Sequence, residues 1–528
     1  MSHPSHQDAT HPESIEIMQS WLDRCLKYHD CASKEACLPK RVIAVGDSNL
    51  YPYLYETKSE SAQYTALSHC WGSIQMLTTT TTTLLERKTS IPFNVLPRTF
   101  REAILVTRAL GICYIWIDSL CILQDSEEDW AIQSAQMCSI FSNSIVTLAV
   151  TGASDSNGGL SKLHISTFDG SQTLTINTPD NDIYVCQGEM DVSPEDSYYR
   201  DQPLQQRAWA FQEQFLAPRT IHFMTNEMVW ECRAETCAEC SSSPAPVLHD
   251  RAPTKIPSLR QWKRCLWDYT TKQLTFDTDR LAAIGGIVDV MKEHASSDYV
   301  AGLWISELPL ALCWEVDSSE RLSRRQIRYC APSWSWASVT HPINAEDDST
   351  MHDIRDTFKE VSQVVEIDFE LANSNPFGNL KSLHIKIKGP LVPIRPYDIS
   401  EDRAFEMKPL TDLFARKGTW SMNADVIEPL EFDEKTPLVA LIIAVGNGKE
   451  DTMPDVSCGL GLVLKPSNVP GSYTRIGLLT IYQDFGWRWG NHTPKKGTKR
   501  WDRNEDERIT SEKAAVVLDH LTEVITIL

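Results

Sequence analysis

Four groups of residues in this chain have side chains and spacings suited to chemistry. The first is Trp209-Ala-Phe-Gln-Glu213, where a ring and a carboxylate four positions apart share one helix face. Glu213 also reads as a surface acid on an amphipathic helix, with Trp209 as core. The second group sits where short apolar runs end: Ser68-His69 with Trp71, and Asp118. Their polar atoms suit ribose or phosphate; they equally suit turns and caps that satisfy backbone donors. Arg207 can pair with Asp118 or with a phosphate. The third group is Cys70 and Cys121, with His69 as the base a thiol nucleophile would need; buried, inert cysteine is the alternative. The fourth is Cys25, His29, Cys31 and Cys37, three thiols and an imidazole that form the donor set of tetrahedral zinc. Their spacings contain no C-x-x-C pair. Cys232, Cys237 and Cys240 form a further thiol run without an obvious fourth ligand.

These residues need a scaffold, and the pattern around them supplies one. Tyr64–Ser68 reads as a strand and Phe100–Leu110 as a helix, opened by a Thr99/Glu102 capping box and closed by Gly111. Ile112–Ile117 is a continuous apolar run, as expected of a strand buried on both faces. Ser126 and Asp129 form a second capping box before a helix, and Ser144–Val150 is another β-branched strand. Strand–helix alternation with short links predicts a parallel sheet with right-handed crossovers. In such sheets ligands sit beyond the carboxyl ends of the strands. Those ends are Ser68–His69, Asp118–Ser119 and Thr151–Gly152, so three separate stretches converge on one edge.

The rest of the chain divides by composition. Residues 1–60 hold a polar tail and the Cys/His segment, and 61–235 the α/β domain, with a polar strand-forming insertion near 165–200. Residues 241–257, rich in Ser and Pro, read as a linker. Residues 255–345 read as helical, with Trp262, Leu266 and Tyr269 on one stripe, and end in Ala331-Pro-Ser-Trp-Ser-Trp-Ala337. Alternating runs over 346–528 predict a β-rich C-terminal domain.

With 528 residues, 42% of them hydrophobic, the chain suits two to four globular domains. A formal charge of −21 excludes non-specific nucleic-acid binding, which needs a basic surface. The first twenty residues lack an apolar secretory core, and 438–445, the longest apolar run, is too short to span a bilayer. With 15 Cys and no export signal, reduced thiols and a cytoplasmic location are expected.

Five segments resemble the pattern of fungal heterokaryon-incompatibility (HET) domain proteins: Tyr64–Gly72, Leu96–Ile104, Leu110–Asp125, Asp129-Trp130 and Arg207–Glu213. Downstream, Trp230–Arg233, Leu274–Leu281, Ala301–Trp304 and Ala331–Ala337 are similar to segments common in these proteins. The resemblance implies a fungal protein of non-self recognition that triggers programmed cell death through protein partners, including self-association. HET domains are similar in turn to TIR domains, which implies a TIR-like, flavodoxin-like parallel sheet flanked by helices. Some TIR domains hydrolyse NAD with a helical Trp-Cys-x-x-Glu. Trp209-Ala-Phe-Gln-Glu213 keeps that spacing but has Ala210 in place of Cys. Carried over, Glu213 is the catalytic carboxylate, with Ser68, His69, Trp71, Asp118, Arg207 and Trp209 as substrate contacts. Breaking the ribosyl–nicotinamide bond needs a carboxylate facing an oxocarbenium-like transition state and no cofactor. The alternative is a non-catalytic signalling module that assembles with partners.

Overall fold

A computed structural model of the chain describes residues 8–160 (apart from 32–35, 48–49 and 73–76), 201–239, 259–317 (apart from 296) and 329–344. It also describes the short strands 174–177, 182–185 and 245–246, and in the C-terminal region 358–371, 380–399, 404–409, 419–425, 437–447, 457–482 and 520–528. Most of the expected insertion and linker lies outside the described residues.

Apolar, β-branched segments build one sheet: β1 (Arg41–Ala44), β2 (Tyr53–Glu56), β3 (Thr65–Ser68), β4 (Tyr114–Trp116), β5 (Val146–Ala149), β6 (Arg219–Phe223), β7 (Met228–Cys232), β8 (Glu235–Ala238) and β9 (Ala245–Pro246). Their order is β9-β8-β7-β6-β5-β3-β4-β1-β2. The inner four, β4-β3-β5-β6, are parallel, with Thr65 opposite Ile115 and Leu148 opposite both Leu67 and Ile221. Every residue of β3, β5 and β6 is buried, as a sheet covered on both faces requires. The three strands read as parallel, β3, β4 and β5, are so, and the sheet turns antiparallel at both edges. There β1–β2 and β6–β7–β8–β9 pair antiparallel, because connections this short permit only hairpins.

Helices α1 (Pro12–Tyr28), α2 (Leu84–Thr89), α3 (Arg98–Ala109), α4 (Asp118–Cys121), α5 (Glu127–Ser142) and α6 (Ala208–Leu216) accompany the sheet. α3 links β3 to β4, α4 and α5 link β4 to β5, and α6 lies between β5 and β6. The expected Thr99/Glu102 capping box does not form. Pro97 starts the helix earlier, so Thr99 and Glu102 lie inside it and accept instead from the Gly159 and Leu160 amides at 3.1 and 2.7 Å. Gly111 does close α3, with φ +76°. Ser126 caps α5 by accepting from the Asp129 amide at 3.2 Å. The Asp129 carboxylate turns the other way, to buried Arg41 and to the Leu123 amide. Among the described residues no helix is long and apolar enough to cross a membrane.

Two further helices, α7 (Leu259–Thr270) and α8 (Ala282–Ala295), follow. Trp262, Leu266 and Tyr269 are buried together, as their spacing predicts. Gly286 brings α8 against the α/β unit: its amide donates to Gln212 on α6 at 2.7 Å, and a Cβ there would stand 2.8 Å from the Cys138 side chain on α5.

The C-terminal region is β-rich, as expected, and its pairings close on themselves. Strands Leu380–Ile399, Leu438–Asn447, Ser457–Pro466, Ser472–Tyr482, Thr419–Ala424 and Ala404–Pro409 pair in that order, the last returning to the first. Inside this antiparallel barrel lie Val392, Ile394, Met407, Met422, Ala440, Val463 and Leu479. One residue ties it to the helical region. Arg475, fully buried, holds Asp425 through two nitrogens at 3.1 and 3.0 Å, donates to the carbonyls of Leu312 and Trp314, and lies 3.5 Å over the Trp314 ring. The Trp314 indole in turn donates to the Trp334 carbonyl at 2.8 Å. Trp334 and Trp336 are buried in the helical region, where the Trp336 indole donates to the Gly302 carbonyl at 2.6 Å and Trp336–Ser338 forms a 3₁₀ turn.

Asp425→Ala leaves the Arg475 charge buried without a counterion. Stability should fall by about 3–5 kcal/mol, read as a lower urea midpoint; an unchanged midpoint would show that the clamp carries no weight.

Candidate functional site

The parallel strands reverse direction of addition at β3: the chain goes from β3 to β4 on one side, then to β5 on the other. Beyond the carboxyl end of β3 lies the crevice that such a reversal opens. Ser68 ends β3 and His69 follows it; both are buried. Asp118 follows β4 as the first residue of α4, with its side chain 18% exposed. Its Oδ2 accepts from the Trp71 indole at 2.7 Å and its Oδ1 from the Ser119 amide at 2.7 Å. His69 Nδ1 stands 4.0 Å from Asp118 Oδ1. Arg207, the residue before α6, donates to the His69 carbonyl oxygen. This contact draws α6 over the strand ends, where Ala210 packs with Cys70, Ala149 and Leu204. Glu213, one turn further along α6, then lies beside Ser68 within the field of Arg207 and Asp118.

The electrostatics of this cluster are unusual for a packed interior. Burial pushes the Glu213 carboxyl up to about 7, an effect that the Arg207 charge and Ser68 partly offset and Asp118 reinforces. The Ser68 hydroxyl is near enough to favour the ionised carboxyl, yet Ser68 Oγ and Glu213 Oε2 complete no hydrogen bond. Burial holds His69 down to about 4 against the pull of Asp118, so its ring is neutral. Neither ring nitrogen has a partner among the described residues, and the same is true of Ser119 Oγ and Thr79 Oγ1 nearby. The Thr79 amide donates to the Ser119 carbonyl at 3.0 Å, which places that Thr against the start of α4. Buried polar atoms are nearly always paired, and several without a partner gather at this strand edge. A carboxyl poised near neutrality beside a neutral imidazole can take up or release a proton in the physiological range.

Ser68, His69, Trp71, Asp118, Arg207 and Glu213 thus come together, and two expectations are corrected. Glu213 is 4% exposed, so it is not reachable from solvent: α6 packs down on the strand ends and seals it. Trp209 does not join the cluster. Its indole donates to Asp279 Oδ2 at 3.3 Å, toward the 3₁₀ turn before α8. Thr79 and Ser119 were not singled out by sequence reasoning, because a run of six Thr has no periodicity to place any one of them. A thiol nucleophile has no support: burial pushes Cys70 up to about 11 and Cys121 up to about 12, far from thiolate at neutral pH.

A second cluster lies away from these strand ends. Cys25, His29, Cys31 and Cys232 bring their ligand atoms within 4.8 Å of one another. Cys37, the expected fourth donor, is exposed, with its sulfur 4.0 Å from Ser61 Oγ, because it sits in a separate two-residue strand pair with Ser61–Ala62. Cys232, at the end of β7, stands in its place. Hydrogen bonding with Cys232 and Cys25 pulls the Cys31 thiol down, while hydrogen bonding with Cys232 and Cys31 pushes Cys25 up.

Residues 64–213 match the family model described as Heterokaryon incompatibility protein (HET). The matched segment runs from the residue before β3 to Glu213 itself. No curated protein and no solved structure matches the chain.

Glu213 and His69 give opposite pH dependences. Below its ordinary value of 4.5 Glu213 holds its proton whether the chain is folded or not; between there and about 7 only the folded chain holds it. Its contribution to stability is therefore present in acid and lost as pH rises to about 7. His69 loses stability as pH falls from 6.5 to about 4, where only the unfolded chain is protonated. Glu213→Gln removes the first effect alone. Relative to wild type it should gain about 3 kcal/mol between pH 4.5 and pH 8, measured by denaturation at both values; a difference that does not change with pH would contradict the buried carboxyl.

Proposed function

We propose that this chain acts in non-self recognition of the heterokaryon-incompatibility type, and that the strand-end cluster around Glu213 is its effector site, shut in the resting chain. The chemistry we assign to the opened site is hydrolysis of NAD at the ribosyl–nicotinamide bond, leading to cell death by loss of the dinucleotide. The observation that carries this reading is the set of buried, unpartnered polar atoms on Ser68, His69 and Glu213 at the carboxyl ends of parallel strands. Such atoms cost stability, and proteins keep costly polar groups mainly where function uses them. The TIR resemblance adds a role for Glu213. Glu213 binds the ribose hydroxyls and faces the positive charge that develops as nicotinamide leaves; Arg207 and Trp71 line the entry, where a phosphate and a ring would lie. Opening requires α6 to lift, which the binding of a protein partner or of a second copy in the cytoplasm would drive.

A second reading has its own observation. With Glu213 only 4% exposed, the described conformation admits no substrate to the carboxyl. A signalling module that works by assembly alone would need no open site, and its acid would serve packing.

Expression in a heterologous host separates the two. Wild type should deplete cellular NAD and stop growth, while Glu213→Gln slows NAD loss by about 100-fold or more and restores growth. Equal killing by both variants with NAD intact would replace hydrolysis with assembly.

A further inference from the structure

We propose that Cys25, His29, Cys31 and Cys232 hold one structural zinc ion that fastens the N-terminal helix to the sheet. The four come from two distant parts of the chain. Cys25 lies in the last turns of α1, His29 and Cys31 just beyond it, and Cys232 ends β7. Three thiols and one imidazole are a complete donor set for tetrahedral zinc.

The geometry fits that ion. His29 Nδ1 and Cys232 Sγ are 3.5 Å apart. With Zn–N of about 2.0 Å and Zn–S of about 2.3 Å, the N···S edge of a tetrahedron is about 3.5 Å. All four donor atoms fall within 4.8 Å of one another, close enough for one ion to reach each. The other ring nitrogen, His29 Nε2, lies 3.8 Å from Glu235 Oε2. A metal-bound imidazole characteristically turns its free N–H toward a carboxylate, and Glu235 lies on that side of the ring. Glu235 is itself held by Arg24 at 2.7 Å, so the orienting group is anchored to α1.

Charge supports the same assignment. Arg219, 1% exposed, donates to Cys25 Sγ at 3.2 Å. Arg219 also donates to the Ile145 carbonyl at 3.3 Å, which fixes it beside the cluster. Three thiolates and one divalent ion leave a single negative charge, which Arg219 balances. Trp21 on α1 and Trp230 on β7 pack with ring centroids 6.4 Å apart, an apolar contact joining the same two elements. The ion's role is mechanical: it joins α1 to β7 across some two hundred residues, with the matched segment enclosed between the ligands.

The test uses the full chain, purified under reducing conditions without chelator and analysed for metal. We expect about one zinc per chain. Cys37→Ser should retain it; Cys232→Ser and His29→Ala should lose most of it. Because Cys232→Ser can fail to fold, the wild-type chain refilled with Co(II) supplies an independent readout: a thiolate charge-transfer band and the visible bands of a tetrahedral Cys₃His site. Removing zinc with a strong chelator should lower Tm by about 5 °C or more. A wild-type chain that neither retains zinc nor takes up Zn(II) or Co(II) in reducing buffer overturns the proposal. So does Cys37→Ser losing as much metal as Cys232→Ser.

Discussion

The hydrogen bond from the Arg207 guanidinium to the His69 carbonyl oxygen is the contact on which the strand-end cluster depends. His69 follows β3, so its carbonyl lies beyond the last ladder bond and has no partner within the sheet. Arg207 precedes α6, whose first amides are likewise outside the helix ladder. The guanidinium satisfies that carbonyl, and the first α6 amide, of Ala208, donates separately to the Gln273 carbonyl at 3.0 Å. The guanidinium contact also sets where α6 lies, and therefore where Glu213 lies. The charge that makes this contact lowers the cost of the buried carboxyl at Glu213, and burial still leaves that carboxyl near half-protonated at neutral pH. One ionic group thus positions the acid and tunes it.

α6 is held from its other side as well. Gln212, adjacent to Glu213, accepts from the Gly286 amide on α8, and Trp209 reaches Asp279 just before α8. The helical region rests in turn on the β-barrel through Arg475, which spans Asp425 and the carbonyls of Leu312 and Trp314. A displacement of the barrel or of α8 would therefore act on the element that seals Glu213. Side-chain packing of this kind has discrete arrangements and resists gradual deformation. The downstream regions are mechanically part of the site even though they contribute no atom to it.

Much of this was legible in the sequence, and the reasons are local. The strand–helix alternation gave the inner parallel strands, because β3, β4 and β5 are short apolar runs bounded by helices with helical periodicity. That placed Ser68, His69 and Asp118 at one edge before any coordinates. The antiparallel edges were not legible, since β1 and β2 or β6 and β7 read as strands without stating their direction. Trp209 shows the limit of periodicity: four residues share a helix face only approximately, and the tertiary partner, Asp279, decided the side. Cys232 shows another. Ligand sets read from spacing favour neighbours in sequence, so Cys37 was grouped with Cys31, while the chain fold brought in a thiol two hundred residues away.

The matched segment and the physical unit do not coincide. The family match ends at Glu213, yet β6 completes the parallel core and lies beyond it, and β1 and β2 cover the opposite edge from before it. A sheet cut at residues 64 and 213 would expose the ladder edge of β5 and the apolar faces that α1 and β7 cover; unpaired strand edges of that kind promote aggregation. The residues of the strand-end cluster, Ser68 to Glu213, thus lie within the matched segment, whereas α8, which helps hold α6 over Glu213, lies outside it. Segments preserved for packing tolerate exchange of apolar residues so long as volume is kept. A polar cluster at strand ends tolerates far less, since each buried polar atom added or lost there changes the cost of burial.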